Sequence, residues 1–243
     1  MTVLNEKEKT LNCLRSRNLT VEGQFMWGSN YTFLCQVECG EKLLRAVYKP
    51  TRGERPLWDF PGETLAGREV AAYLVSEAGG WHMVPPTVFR QNGPEGSGSL
   101  QLFVDHDPDF HYFNFTQEER ERLRPVALFD IVINNTDRKG GHIFFDDDDH
   151  IWLIDHGVCF HVQPKLRTVV WDFANQPIPE GCQQQIRTLK DKLDPEQETR
   201  QELSEYLSPQ EIQAMIARID GLLQAGVFPS PSDRRYSYPW PPV

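Results

Sequence analysis

The fold is decided by Asn135-Thr136-Asp137-Arg138-Lys139-Gly140-Gly141-His142 and by the stretch that follows it, Leu153-Ile154-Asp155-His156-Gly157. Between the acidic residues of these stretches lie two short apolar runs, residues 143–145 and 151–154, which are typical of the strands of a hairpin. Because a hairpin brings its two ends together, we expect the acidic and imidazole side chains at those ends to converge.

Two convergent carboxylates suit the transfer of a phosphoryl group. That reaction needs one carboxylate near the attacking hydroxyl and another that holds a metal ion on the phosphates. The alternative is structural: Asp137 caps a loop and Asp155 ends a strand. Either residue alone favours the structural interpretation, whereas the pair, with an apolar strand before Asp155, favours a site.

These residues resemble the catalytic and metal-binding loops of the phosphatidylinositol 3-/4-kinase-like group of atypical kinases. The whole chain is similar to an uncharacterised bacterial family that is often named for that lipid-kinase domain. The resemblance implies that Asp137 is the catalytic-loop aspartate and that Asp155 is the principal metal ligand. It places His142 where the group has a metal-binding asparagine, and imidazole is a poor ligand for Mg²⁺.

The upstream half supports the same assignment. Lys49 ends a predicted strand, where the kinase plan places the lysine that grips the ATP phosphates. Glu69, on the next predicted helix, would pair with Lys49 and hold it in line, with Glu63 as a weaker candidate. Each residue also has a plain structural interpretation, a solvated lysine and a glutamate that complements the helix dipole.

The remaining nucleotide contacts are predicted from position. The turn Gly28-Ser29-Asn30 would cover the phosphates with backbone N–H groups, although such a turn alone is typical of any hairpin. Residues 101–104, with Gln101 and Phe103, would form the hinge beside the adenine. Lys139 would neutralise the γ-phosphate or face water.

The segment Lys165-Leu166-Arg167-Thr168 falls where a substrate-binding segment would lie, and its two cations would receive an anionic substrate or face water. The loop that contains Arg52, Arg55 and Trp58-Asp59-Phe60 is expected to cover the nucleotide.

The order of elements predicts an α+β, two-lobed protein-kinase-like fold, with a small antiparallel β-rich N-lobe (residues 1–103) and a mostly helical C-lobe (residues 104–243). The pattern is not the βαβ alternation of a parallel sheet. Helices are predicted over residues 5–15, 64–78, 116–134 with an interruption at Pro125, and 196–225 with a break near Pro209. Strands are predicted over residues 19–27, 31–37, 43–49, 87–90 and 100–104.

Composition narrows the functional classes. The chain has 243 residues and a formal charge of −10, which argues against nucleic acid as a partner. No apolar run approaches the ~18 residues of a membrane span, so no stable membrane insertion is expected. The five cysteines are odd in number and include no CxxC pair, so neither a disulfide framework nor a zinc knuckle is predicted. With no signal peptide apparent, we expect a cytoplasmic protein.

The predicted function is therefore phosphoryl transfer that depends on ATP and on Mg²⁺, or on the softer Mn²⁺. The acceptor is an unknown protein or small molecule, and nothing in the residues requires a lipid. Three alternatives stay open at this point: a nucleotide-binding pseudokinase that acts as a scaffold, an AMP-transferring variant, and a metal-dependent phosphoesterase. The phosphoesterase would use Asp137, His142, Asp155 and His156 as ligands.

Overall fold

The structure of the chain is a computed structural model, which describes residues 3–25, 31–231 and 236–243, with side chains from residue 6 onward. It has the predicted α+β, two-lobed architecture. The N-lobe is built on a five-stranded sheet of order β1-β2-β3-β5-β4, in which every neighbouring pair is antiparallel. Its elements are α1 (Val3–Ser16), β1 (Leu19–Gln24), β2 (Phe33–Cys39), β3 (Lys42–Pro50), α2 (Leu65–Ala78), β4 (Thr87–Gly93) and β5 (Gly96–Leu102).

Alternation along β3 decides which side chains reach the site. Successive residues of a strand point to opposite faces. Ala46 and Tyr48 are fully buried in the core between the sheet and α1, together with Leu14. Val47 and Lys49 therefore point to the other face, where both line the cleft between the lobes.

Helix α2 is held by contacts that reach both lobes. The helix begins one residue later than predicted, after Thr64, whose side chain makes no cap; the carboxylate of Glu54 instead accepts the Ala66 N–H at 2.8 Å. Deeper along the helix, the fully buried Arg68 donates to Glu211 at 2.5 Å and to the Cys159 carbonyl at 2.7 Å. These bonds fix α2 against the C-lobe.

The C-lobe is mostly helical, with one small hairpin. Its elements are α3 (Gln117–Glu121), α4 (Arg124–Ile133), β6 (Ile143–Phe145), β7 (Ile151–Leu153), α5 (Glu180–Lys192), α6 (Glu198–Leu203) and α7 (Pro209–Ala225). The predicted hairpin and the break near Pro209 are both present. The interruption at Pro125 divides the predicted long helix into α3 and α4, with the proline in the first turn of α4.

Two features of the fold were not predicted. Helix α5 is polar, and only Cys182, Ile186 and Leu189 are buried along it, so its apolar stripe is too thin to stand out in the sequence. A single disulfide joins Cys13 of α1 to Cys39 of β2. These cysteines are far apart in the sequence, and only the packing of α1 on the sheet brings them together.

In the part of the chain that the structure describes, no helix combines the length and the apolar character needed to cross a bilayer.

Candidate active site

A cleft of about 360 Å³ lies between the lobes. Strand β3 and helix α2 contribute side chains from above, and the loops on either side of the β6–β7 hairpin contribute side chains from below. The polar residues that line it include Lys49, Glu69, Asp137, His142 and Asp155. The residues predicted to converge therefore face one space.

Lys49 lies at the centre of this arrangement. Its ammonium forms an ion pair with Glu69 and a second one with Asp155, whose Oδ1 is 2.8 Å from Nζ. Burial lowers the pKa of Lys49, but the charges of Asp155 and Glu69 outweigh burial and hold that pKa above its ordinary value. Lys49 is therefore a fixed cation. Glu69, and not Glu63, is its partner on the helical side.

Asp155 follows β7 in a left-handed backbone conformation, with φ of 62°. This conformation is uncommon for a residue other than glycine, and it persists only where its surroundings impose it. The side chain stays 51% exposed to the cleft. The charge of Lys49 is the largest influence on the pKa of Asp155 and holds it well below the usual range, despite the opposing effect of burial. Asp155 is thus a permanent anion that faces the cleft.

His142 stands beside Asp155 as a neutral imidazole. Burial lowers the pKa of His142 to about 4, because the neighbouring Asp155 only partly offsets the burial. Its Nδ1 accepts the Lys139 N–H at 3.4 Å, so the proton is assigned to Nε2, which lies 3.4 Å from Asp155 Oδ2. In this tautomer His142 orients the Asp155 carboxylate.

Asp137 lines the same cleft from the loop that precedes the β6–β7 hairpin. Its backbone N–H donates to Asn135 Oδ1 at 3.0 Å, and Lys139 Nζ lies 3.6 Å from its carboxylate. Burial raises the pKa of Asp137 to about 6; Lys139 opposes this rise and the charge of Asp155 adds to it. A carboxylate with a pKa near neutrality is suited to taking up a proton.

Beneath the cleft, a fully buried arginine joins the two loops. Arg138 Nε donates to both carboxylate oxygens of Asp130, at 3.0 and 3.2 Å. One Nη donates to the Ile154 carbonyl at 2.8 Å, and the other lies 2.7 Å from His156 Nε2. The His156 backbone N–H donates in turn to Glu69 at 2.9 Å. This network links the loop of Asp137 to the loop of Asp155 and to helix α2.

The side of the cleft at the predicted hinge, residues 101–104, is more apolar than the part that carries these charged residues. Gln101 and Phe103, the predicted hinge residues, both line the cleft. The buried Gln101 amide donates to Thr87 at 2.8 Å, and the Phe103 N–H donates to the Arg45 carbonyl at 2.9 Å. Across from them, the ring of Phe144 forms an apolar wall against which His106 stacks, with ring centroids 3.7 Å apart.

Most predicted site residues therefore meet around one cleft, and Lys139 lies beside it against Asp137. Gly28, Ser29 and Asn30 lie outside the described residues. The sequence reasoning missed Asp130, the buried partner of Arg138, and Glu54, which caps α2. Asp130 did carry a signal, because it is a charged residue in the middle of an otherwise apolar run, residues 125–133, of the helix Arg124–Ile133.

The side chains of the cleft suit a metal ion that takes one ligand from the protein and its other ligands from a bound nucleotide and water. Among the described residues, no group of three or more His, Cys, Asp or Glu side chains is placed to hold a metal ion. Mg²⁺ is commonly bound by only one or two carboxylates, with phosphate oxygens and water completing its coordination. Asp155 supplies such a carboxylate, already ionised and facing the cleft.

The chain has the features that define the class of kinase-like proteins. These are a five-stranded N-lobe, a helical C-lobe and, around the cleft between them, a lysine, a helical glutamate and two loop carboxylates. Solved structures agree on the fold. A crystal structure of the Golgi casein kinase with Mn/ADP bound matches with a TM-score of 0.57 and 15% identity, over 100% of this chain and 81% of that one. A Helicobacter pylori proinflammatory kinase, CtkA, matches with a TM-score of 0.51 and 9% identity, over 88% and 94% of the two chains.

The sequence model described as "Phosphatidylinositol 3- and 4-kinase" matches residues 63–208, and the chain belongs to this family. Protein Rv2133c of Mycobacterium tuberculosis is 40% identical, over 94% of this chain and 93% of that protein. "Phosphatidylinositol 4-kinase gamma 4" of Oryza sativa subsp. japonica is 34% identical over 59% of this chain, which spans only 32% of the rice protein.

Proposed function

We propose that this protein is an ATP- and divalent-metal-dependent phosphotransferase that acts on a hydroxyl group of a small molecule or a protein. The observation that carries the proposal is the convergence of Lys49 with both Glu69 and Asp155, in a cleft that Asp137 also lines. We also propose that the N-lobe comprises residues 1–103 and the C-lobe residues 104–243.

Lys49 would hold the ATP phosphates, and Glu69 would orient it. The ion pair with Asp155 supports this role, because a lysine that is already held between two carboxylates loses little freedom when phosphate binds. Residues 28–30 would cover the phosphates, the adenine would lie along residues 101–104 against the apolar wall at Phe144, and Lys139 would approach the γ-phosphate.

Asp155 would be the principal metal ligand, with Mg²⁺ or Mn²⁺ as the ion. When bound, the ion neutralises charge on the phosphate oxygens. His142 would assist from its place beside Asp155. With Nε2 protonated it orients the carboxylate; the other neutral tautomer would present a nitrogen ligand, which suits Mn²⁺ better than Mg²⁺.

Asp137 would position the acceptor hydroxyl and take up its proton. Its location supports this role, because it lines the nucleotide cleft together with Asp155 and also lines a second cavity outside that cleft. Its raised pKa brings the carboxylate close to the range in which a general base works at neutral pH.

Labelled ATP tests the proposal. The full chain is incubated with Mg²⁺ or Mn²⁺ and with ATP labelled at the γ- or the α-phosphate, and candidate acceptors and the protein itself are followed for label. We expect transfer of γ-label only, with loss of transfer in Asp137→Asn and Asp155→Asn but not in the remote surface variant Asp191→Asn. Transfer of α-label would establish the AMP-transferring variant. Nucleotide binding without transfer to any acceptor, including water, would establish a pseudokinase.

The phosphoesterase alternative is less well supported. It needs protein ligands that hold a metal ion in the absence of nucleotide, and the described residues contain no group of three such side chains. It also assigns no role to the pairing of Lys49 with Glu69.

A further inference from the structure

A second cavity lies on the outer side of Asp137. It has a volume of about 630 Å³ and shares Leu65, Asp137 and Val158 with the nucleotide cleft, so the two spaces meet at the carboxylate of Asp137. We name it the acceptor groove. The lining residues that matter here are Arg55, Trp58, Asp59, Lys165, Arg167 and Tyr236.

Trp58 forms an exposed platform at the edge of the groove. Its side chain is 93% exposed, which is unusual for the largest apolar side chain. The ammonium of Lys165 lies 4.9 Å from the centroid of the indole ring, and it also forms an ion pair with Asp59. The charge of Lys165 is therefore balanced within the groove.

Arg167 supplies a cation beside the catalytic loop. Its backbone N–H donates to the Asn135 carbonyl at 2.9 Å, and its own carbonyl accepts the Arg138 N–H at 3.0 Å. These two bonds lie on either side of Asp137 in sequence, so the position of Arg167 relative to Asp137 is fixed by backbone pairing. The side chain itself is exposed to the groove.

The charged groups of the groove differ in how far they are compensated. Lys165 is paired with Asp59, whereas no carboxylate of the described residues forms an ion pair with the exposed guanidinium of Arg167. An exposed guanidinium of this kind is suited to binding a phosphate or carboxylate group. The volume also matches the few hundred to about 1,000 Å³ typical of small-molecule sites.

We propose that the acceptor is a small, soluble hydroxyl compound that carries a phosphate or carboxylate group. Its anionic group binds Arg167, its ring or chain lies on Trp58, and its hydroxyl points at Asp137. This inference rests on the proposed function. In the reaction, the acceptor oxygen bonds to the γ-phosphorus, the bond from that phosphorus to the β–γ bridging oxygen breaks, and the hydroxyl proton passes to Asp137, which leaves ADP and a phosphorylated acceptor.

Matched pairs of probes test the inference. The full chain with MgATP is offered glycerol and glycerol 3-phosphate, then glucose and glucose 6-phosphate, and phosphorylation and the unfolding midpoint are measured for each. We expect the phosphate-bearing member of each pair to react with a kcat/KM at least about tenfold higher, or to raise the midpoint where its neutral twin does not.

Variants then assign the effect to the groove. Arg167→Gln should remove the preference for the anionic probe, and Trp58→Ala should raise KM for both members of a pair. Lys192→Gln, which removes an exposed cation outside the groove, should leave the preference unchanged. All variants should keep the rise in midpoint that MgATP alone produces, which reports the nucleotide site.

The inference is overturned if no anionic probe is preferred over its neutral twin, whether or not any probe is phosphorylated. It is also overturned if a serine-containing peptide or a phosphatidylinositol vesicle is the better acceptor. If the MgATP response is intact in such a case, the proposed function stands and only the acceptor class is wrong. If MgATP itself produces no response, the proposed function fails with it.

Discussion

Asp137, the general base of the proposed reaction, shows how such a role conflicts with stability. In that reaction it acts in its ionised form, yet burial and the neighbouring Asp155 disfavour that form and raise its pKa to about 6, against the opposing effect of Lys139. Groups that are strained for function in this way are expected at active sites. The carboxylate therefore has a measurable cost in the folded protein.

We predict that Asp137→Asn abolishes transfer and raises the unfolding midpoint at neutral pH. Because the folded-state pKa of about 6 exceeds the ordinary value of 3.8, the folded wild-type protein is destabilised progressively as pH rises from about 4 to 6. The advantage of the variant should be complete above pH 6 and absent below pH 4. Thermal unfolding between pH 3.5 and 8 measures it, and a midpoint difference that does not change with pH would contradict the assignment.

The same group sets the pH dependence of transfer. If Asp137 takes up the acceptor proton, the wild-type kcat/KM should rise as pH increases through about 6 and then level off. A pH–rate profile from pH 5 to 8 measures this. A rate that is flat or falls across that range would exclude Asp137 as the base.

Arg138 has a structural role that is separable from chemistry. It is fully buried and is bound to Asp130, to the Ile154 carbonyl and to His156. We predict that Arg138→Met lowers the free energy of unfolding by about 3–5 kcal/mol, because it leaves the Asp130 carboxylate buried without its cation. Denaturant unfolding measures this loss.

A double variant separates the charge from the packing. Adding Asp130→Leu to Arg138→Met removes the orphaned carboxylate and should recover part of the loss. Arg187→Met, which breaks an exposed pair with Glu180, should change stability by less than about 1 kcal/mol. An Arg138→Met loss as small as that of the control would contradict the buried network.

The segment at residues 236–243 acts on the loop that carries Asp137. The Gly140 N–H donates to the Pro242 carbonyl at 2.7 Å, and the Ser237 carbonyl accepts the Thr168 N–H at 3.1 Å. Below the loop, a Cβ added at Gly140 would lie 2.8 Å from the ring of Phe113. The loop is thus held between Phe113 and this segment, and a Cβ at Gly140 would require the ring of Phe113 or the loop to move.

We predict that Gly140→Ala displaces the loop, destabilises the fold by about 1–3 kcal/mol and lowers the rate of transfer. Gly181→Ala is the matched control, since a Cβ there meets no atom within 4 Å and alanine is the better helix former. Unfolding and transfer assays on both variants measure the effect. Equal stability and equal transfer rates in the two variants would contradict the close packing of the loop at Gly140.

The elements differed in how far they could be predicted. Strand β3 and helix α2 have strong apolar patterns, so Lys49 and Glu69 could be placed from the sequence alone. Helix α5 could not, because only Cys182, Ile186 and Leu189 face the core. The cap of α2 by Glu54 could not be predicted either, because Glu54 lies in a loop whose path depends on the whole N-lobe.

The assembly of the two lobes produces the site, and this is why some contacts were beyond sequence reasoning. The hairpin predicted that Asp137 and Asp155 would meet. It did not predict that Asp155 would pair with Lys49, because that contact depends on how the N-lobe sits on the C-lobe. Arg68, which reaches the Cys159 carbonyl and Glu211, is one of the residues that fix this relation.

The central claim, a nucleotide site completed by a metal ion at the junction of the lobes, is tested most directly by thermal unfolding with ATP. Wild type, Lys49→Ala, Asp155→Asn and the control Asp191→Asn are each compared with and without Mg²⁺ or Mn²⁺. ATP with metal at about 100 times its dissociation constant should stabilise wild type and control by about 2.7 kcal/mol, and neither site variant should respond. A wild-type response to metal alone, with none to ATP, would contradict the account.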